Sequence, residues 1–190
     1  MAITRYAQVA VEQVPFANFP GGGMTNQGAA APFAQFNDPS IEIGDVREVT
    51  AIYQLQGNEA ACDIINIYLA QPGTMLDPAY SNVSQRSPAT TLTLTVGDDD
   101  TTGVGLVTGL NQNARKRYAN VLNAATGQSN PIPFTGGDAL TDPYMIGATA
   151  QESNPNGGTV SGSWIQAVIE TVGTPVAGGC LIFRLRLIKP

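Results

Sequence analysis

The segment TLTLTV, residues 91–96, indicates a β-rich fold, because apolar and hydroxyl side chains alternate at every position. Leu92, Leu94 and Val96 fall on one face of an extended chain, and three threonines fall on the other. Strict alternation with a period of two is typical of a β-strand that has one buried face. The GDDD segment that follows, residues 97–100, predicts a turn.

Similar short patterns recur between turn-forming residues along the rest of the chain. Strands are predicted within REVTAIYQL (47–55), CDIINIYLA (62–70), DPYMIGATA (142–150), TVSGSWIQAVIETV (159–172) and GGCLIFRLRLI (178–188). QPGTMLDPAYSN (71–82) is predicted to be a loop, and the near-helical spacing of apolar residues in NARKRYANVLNAATG (113–127) predicts a short helix. About eight short strands without a sustained helix predict an all-β fold, an antiparallel, jelly-roll-like β-sandwich.

The first 45 residues differ from this pattern. They contain a triple glycine, several prolines and four of the six phenylalanines, without the period of a strand or a helix. Such a segment cannot build a core of its own. We therefore expect residues 1–45 to be an extended N-terminal arm and residues 46–190 to be the β-sandwich domain. The partner-binding residues of the arm, which would pack on the same subunit or on a neighbouring chain, are Phe16, Phe19, Phe33 and Phe36.

Composition narrows the range of partners. The 190 residues carry a net charge of −6, and only 13% of them are charged. The only dense basic group is RKR at 115–117, so nucleic-acid binding is not expected. No apolar run approaches the ~18 residues needed to span a bilayer, and the first residues do not resemble a signal peptide. A protein made in the cytoplasm, without a membrane partner, is expected.

The residue types needed for most catalysis are missing. The chain has no histidine, which excludes Ser-His-Asp and Cys-His arrangements and histidine-based metal sites. It also has no phosphate-binding glycine loop of the Walker type, no nucleophile elbow and no paired C-x-x-C motif. A protein that is not an enzyme and has no cofactor is predicted.

Asp98, Asp99 and Asp100 are the weak candidates for a metal site. Consecutive side chains of an extended segment point to opposite faces, so the three carboxylates converge on one ion only if the backbone turns there. Calcium loops instead space their ligands alternately and end in a glutamate, and neither feature is present. A solvated turn is the expected role of these aspartates.

Cys62 and Cys180 are expected to be buried free thiols, and a disulfide between neighbouring strands remains open.

Four stretches of the sandwich region resemble small structural proteins of tailed bacteriophages, those that decorate or cement the head shell. They are GDVREVTAIYQLQGNEAACDIINIYLAQPGTML (44–76), TTLTLTVGDDD (90–100), KRYANVLNAATG (116–127) and SWIQAVIETVGTPVAGGCLIFRLRLI (163–188). The resemblance implies a β-rich virion protein without an active site on the outer capsid surface. Its partners would be the major capsid protein or other virion proteins. The arm would reach a neighbouring subunit or capsomer.

A low-charge, acidic exterior suits such an outward-facing protein. An acidic protein that lined the packaged DNA would instead be repelled by the negative charge of the DNA. A homo-oligomer with closed symmetry, with a trimer favoured, would bury the phenylalanines of the arm. Two alternatives remain open. One is a neck, tail or fibre-base protein of the virion. The other is a carbohydrate-binding or cation-binding sandwich that uses the loop at 98–100.

Overall fold

A computed structural model describes residues 3–7, 46–86, 91–99, 104–105, 119–123, 129–132, 144–147, 149–153, 159–174 and 177–189. Within these ranges the chain forms thirteen strands and no helix. None of the described residues therefore belongs to a helix that could cross a membrane. The strands are β1 (Thr4–Tyr6), β2 (Val46–Gln54), β3 (Ile64–Ala70), β4 (Met75–Arg86), β5 (Leu92–Asp98), β6 (Val104–Gly105), β7 (Ala119–Asn123), β8 (Ser129–Pro131), β9 (Tyr144–Met145), β10 (Gln151–Ser153), β11 (Thr159–Ser161), β12 (Ser163–Val172) and β13 (Cys180–Ile188).

The strands form two main sheets and one small hairpin, in which β10 pairs with β11. Sheet A has the order β1-β3-β12-β5-β7, and sheet B has the order β2-β13-β4-β9-β6, with β8 also paired to β4. All pairings are antiparallel except that of β1 with β3. In sheet B, β13 lies between β2 and β4. In sheet A, β12 lies between β3 and β5. The last two strands of the chain are thus each flanked by two of its first five strands.

The core lies between the two sheets and follows the alternation of the sequence. Leu92, Leu94 and Val96 of β5 are fully buried and belong to one hydrophobic cluster with residues of sheet B. The opposing face of that cluster includes Leu181, Phe183, Leu185 and Leu187 of β13. Burying each such side chain contributes about 1.5–3 kcal/mol. The predicted all-β sandwich is confirmed, and the period-two pattern correctly identified its inward faces.

The prediction of a loop at 71–82 is wrong, because most of that segment belongs to the long strand β4. Its pattern is broken by a bulge: Asn82 lies opposite Arg184 and Asp77 lies opposite Arg186, so residues 78–81 face a single residue of β13. Proline is tolerated in a sheet at such a bulge, where no ladder hydrogen bond is required of it. The Ser81 hydroxyl closes the bulge by donating to the Asp77 carbonyl (2.7 Å) and accepting from the Arg186 N–H (3.0 Å).

The prediction of a helix at 113–127 is also wrong where the structure describes it. Residues 119–123 form β7, which pairs with β5 through Ala119 opposite Val96 and Leu122 opposite Leu94. Near-helical spacing over so few residues is a weak preference, and pairing with a long strand can override it. Positions 113–118 and 124–127 lie outside the described residues.

Candidate functional site

The described start of the chain is built into the edge of sheet A. Within the predicted arm, Thr4–Tyr6 pairs in parallel with β3, with Thr4 opposite Ile64 and Tyr6 opposite Asn66. The Ile64 N–H donates to the Ile3 carbonyl (2.9 Å), and the Ala7 N–H donates to the Asn66 carbonyl (2.8 Å). β1 therefore satisfies main-chain groups that the edge of β3 would otherwise leave unpaired.

Side chains of β1 and of Ala7, the residue that follows it, hold this segment on both faces of the sheet. Ala7 is fully buried in the hydrophobic core, and Arg5, two residues earlier, also points inward and is buried. On the outer face, the Tyr6 ring meets the Trp164 ring edge to face, with 5.9 Å between centroids and 78° between planes. This geometry is one of the arrangements that aromatic pairs prefer.

Arg5 lies at the centre of a polar cluster, here called the N-terminal anchor, in which Arg5, Tyr53, Glu59 and Asp63 are buried and Asn58 is exposed. Its Nε donates to Asp63 Oδ2 (2.9 Å), and its Nη2 lies 2.8 Å from the same oxygen. Nη1 donates to Asn58 Oδ1 (3.0 Å) and to the Tyr53 hydroxyl (3.3 Å), and Nη2 also donates to the Asn58 carbonyl (3.1 Å). Every nitrogen of the guanidinium therefore has an internal acceptor.

Glu59 holds the loop between β2 and β3 in the shape that receives Arg5. Its carboxylate accepts from the N–H groups of Gln56 (2.6 Å) and Gly57 (3.0 Å) and from the Tyr53 hydroxyl (3.0 Å). Glu59 is only 3% exposed. Gly57 has φ +81°, a left-handed conformation that glycine adopts without strain, so the loop can turn sharply here.

Asp63 connects the loop to the arm. Its Oδ1 accepts from the Ile3 N–H (2.9 Å), and its Oδ2 accepts from the Ala60 N–H (3.1 Å) as well as from Arg5. Burial alone would raise the pKa of Asp63, but these N–H donors and the guanidinium lower it below its ordinary value overall. Asp63 is thus a carboxylate at neutral pH.

The neighbouring groups respond to the same environment. Burial lowers the pKa of Arg5, but Tyr53 and Asp63 outweigh that effect and raise it above its usual value. Burial and the adjacent Glu59 raise the pKa of the Tyr53 hydroxyl well above its usual value. The anchor therefore holds a protonated guanidinium, an ionised Asp63 and a neutral phenol. These groups hydrogen-bond to one another and so hold β1 against β2 and the loop between β2 and β3.

The anchor was missed at the sequence level. The available signal is that Arg5 occupies the position between Ile3 and Ala7 that an inward-facing apolar residue would take in an alternating strand. A charged residue at such a position needs a buried partner. The partner could not be located by spacing, because Asp63 lies 58 positions away.

The structure separates the three candidate aspartates. Asp98 is the last residue of β5, lies opposite Ile165 of β12 and is fully buried, so the prediction of a solvated turn is wrong for this residue. Asp99 is exposed, and its N–H donates to the Ser163 hydroxyl (3.2 Å). Asp100 lies outside the described residues. Among the residues that the structure does describe, no group of three carboxylate or thiol side chains could hold a metal ion.

The other predicted residues have mixed outcomes. The arm residues Phe16, Phe19, Phe33 and Phe36 lie outside the described part of the chain, so their packing stays a prediction, as does the domain boundary after residue 45. Cys62 and Cys180 are both free thiols. The prediction that both are buried is wrong, because Cys62 is exposed at the tight turn before β3, where its φ is +71°, and Cys180 is half-buried.

Comparison with known proteins gives one distant likeness. No protein-family model matches the chain, and no curated protein is significantly similar to it. Among solved structures, the chain is similar to a chain of the cyanophage Pam1 capsid asymmetric unit, with 14% sequence identity and a TM-score of 0.42. That comparison covers 90% of this chain and 99% of the other. The likeness is too distant to assign a shared function.

Proposed function

We propose that this chain is a non-enzymatic structural protein of a tailed-phage virion, which decorates or cements the capsid shell by bridging neighbouring major capsid subunits. The observation that carries the proposal is the N-terminal anchor. Arg5, Glu59 and Asp63 are at most 4% exposed and are joined to one another or to main-chain N–H groups. These buried charges hold β1 on the sandwich, so that the arm proposed to reach neighbouring subunits starts from a fixed point.

The sequence resemblance to phage decoration and cement proteins supports the same proposal, since the matching stretches include β2, β3, β5, β12 and β13. A second support is the outer surface of sheet B. Tyr80 is 67% exposed there, with the Arg186 guanidinium carbon 4.3 Å from its ring centroid, and Ile52 is 39% exposed. Tyrosine and arginine are enriched in protein interfaces, and exposed aromatic and apolar side chains are available for contact with a shell.

The experiment that tests the proposal is quantitative mass spectrometry of particles purified on a density gradient. We expect a fixed ratio to the most abundant shell protein, near one copy per shell subunit or one per three. A few copies per particle would instead support the neck, tail or fibre-base alternative. Recovery of the protein only in the soluble fraction would overturn the virion proposal.

The role of the arm needs a separate variant. Deletion of residues 1–45 should abolish particle binding, whereas Ser161→Ala, at an exposed position in β11 and away from the outer face of sheet B, should leave binding intact. The protein that lacks residues 1–45 must first give a cooperative unfolding transition, so that lost binding is not confused with lost folding. Full binding by a folded deletion variant would contradict bridging through the arm.

A further inference from the structure

We propose that β1 is exchanged between copies of the protein, so that residues 3–7 of one chain lie along β3 of a second copy. This deepens the proposed function, because it names the partner of the N-terminal segment as another copy of the same chain. The receiving surface, here called the β3 slot, consists of the edge of β3, the anchor residues Tyr53, Asn58, Glu59 and Asp63, and the ring of Trp164.

The β3 slot recognises residues 3–7 in four separate ways. The β3 edge exchanges main-chain hydrogen bonds with Ile3 and Ala7. Asp63, Asn58 and Tyr53 bind the guanidinium of Arg5. Trp164 meets the ring of Tyr6, and the core accepts Ala7. Each of these contacts can be made equally well by the same five residues of another chain.

The slot has to be occupied. Without β1, Asp63 would lose the Ile3 N–H and the Arg5 guanidinium. The main-chain groups of β3 that face away from β12 would also be left unpaired. Leaving a buried charge without its partner is strongly unfavourable, and an open sheet edge invites pairing with another chain. An occupied slot is therefore strongly favoured, whichever chain supplies the strand.

The connection between β1 and the sandwich does not require that strand to come from the same chain. Residues 8–45, between Ala7 and Val46, number thirty-eight, and a fully extended chain of this length reaches roughly 125 Å at about 3.3 Å per residue. β1 and β3 are parallel, so no tight hairpin ties them together. Exchange of an identical element keeps every contact and is a low-cost route to an oligomer.

Close association of copies, in a homo-oligomer or in concentrated protein, favours the exchanged arrangement. A strand on so long a connection is at low effective concentration near its own slot, because that concentration falls as the connection lengthens. Neighbouring copies held side by side present slots at comparable distance. Donation around a closed ring, such as the predicted trimer, fills every slot and leaves no open edge.

The test uses two full-length variants that can be cross-linked only between chains. The donor carries Ile3→Cys, Cys62→Ser and Cys180→Ser, and the acceptor carries Cys180→Ser and keeps Cys62. Residue 3 is bonded through its N–H to Asp63, next to Cys62, and both Ile3 and Cys62 are exposed. The two variants are co-expressed, purified together, concentrated and treated with a short bismaleimide.

We expect a covalent donor–acceptor dimer on a denaturing gel, with the linked residue 3 and residue 62 peptides identified by mass spectrometry. The matched control is a single chain with Ile3→Cys, Cys180→Ser and the native Cys62, which shows that the two positions are within reach of the reagent. Intrachain cross-linking in this control, with no dimer from the mixture, would overturn the exchange. Since the test uses the protein without particles, its result is distinguishable from a failure of virion binding.

Discussion

Arg5 and Asp63, 58 positions apart in the chain, form a buried ion pair in which Nη2 of the guanidinium lies 2.8 Å from Oδ2 of the carboxylate. The pair joins the N-terminal strand to the loop between β2 and β3. Because Asn58 and Tyr53 share the same guanidinium, removal of Arg5 takes a hydrogen-bond partner from Asp63, Asn58 and Tyr53 at once. The stability of this corner of the sandwich therefore depends on the whole cluster.

Replacing Arg5 with alanine should lower the free energy of unfolding by about 3–5 kcal/mol, since it leaves Asp63 as a buried charge without its counter-ion. Urea denaturation measures the loss. The control Arg184→Ala removes an exposed guanidinium and should change stability by less than about 0.5 kcal/mol. Equal stability of the two variants would show that the ion pair does not hold β1 in place.

Acid should weaken the protein through Asp63. Its pKa is lowered in the folded state, so the unfolded state binds the proton more readily. The stabilisation is fully present above the unfolded pKa of about 3.9 and is lost as the pH falls through the lower folded value. Asp63→Asn should be less stable at neutral pH and should lose part of this acid dependence, measured as the urea midpoint at several pH values below about 5. An unchanged pH profile in Asp63→Asn would contradict this assignment.

Ser81→Ala should destabilise the bulge in β4. The hydroxyl of Ser81 bridges the Asp77 carbonyl and the Arg186 N–H, and Ser81 is almost fully buried. Leaving a buried main-chain group unsatisfied costs about 1–3 kcal/mol. The comparison variant is Ser161→Ala, at an exposed position in β11. Thermal unfolding should separate the two, and a Ser81→Ala protein as stable as Ser161→Ala would argue against the bridge.

Gly162→Ala should be strongly unfavourable. Gly162 has φ +124°, and a Cβ added there would overlap the carbonyl oxygen of Ala70 on β3. A non-glycine residue in such a conformation costs of order 1–3 kcal/mol before the clash is counted. Gly173→Ala is the control, because its φ is not positive and a Cβ would make only ordinary contacts with Thr91. Similar unfolding temperatures for both variants would refute this account.

Which side chains face inward in the regular strands can be predicted from the sequence alone. The alternation in TLTLTV and in CLIFRLRLI placed Leu92 and Phe183 in the core without knowledge of their neighbours, because the two faces of a strand follow directly from its period. That the 190 residues contain no histidine can likewise be read directly from the sequence. These properties depend only on local spacing or on composition, so they can be predicted from the sequence.

Which strands meet and which charges are buried depends on contacts between distant parts of the chain. β4 escaped prediction because its alternation is interrupted by a bulge that is stabilised from β13. Asp98 resembles part of a polar turn in the sequence, yet β12 lies beside it and it is buried. Arg5 is acceptable inside the protein only because Asp63 and Asn58 reach it. The free energy of a buried charge depends on partners that lie far away in sequence, so local spacing does not reveal it.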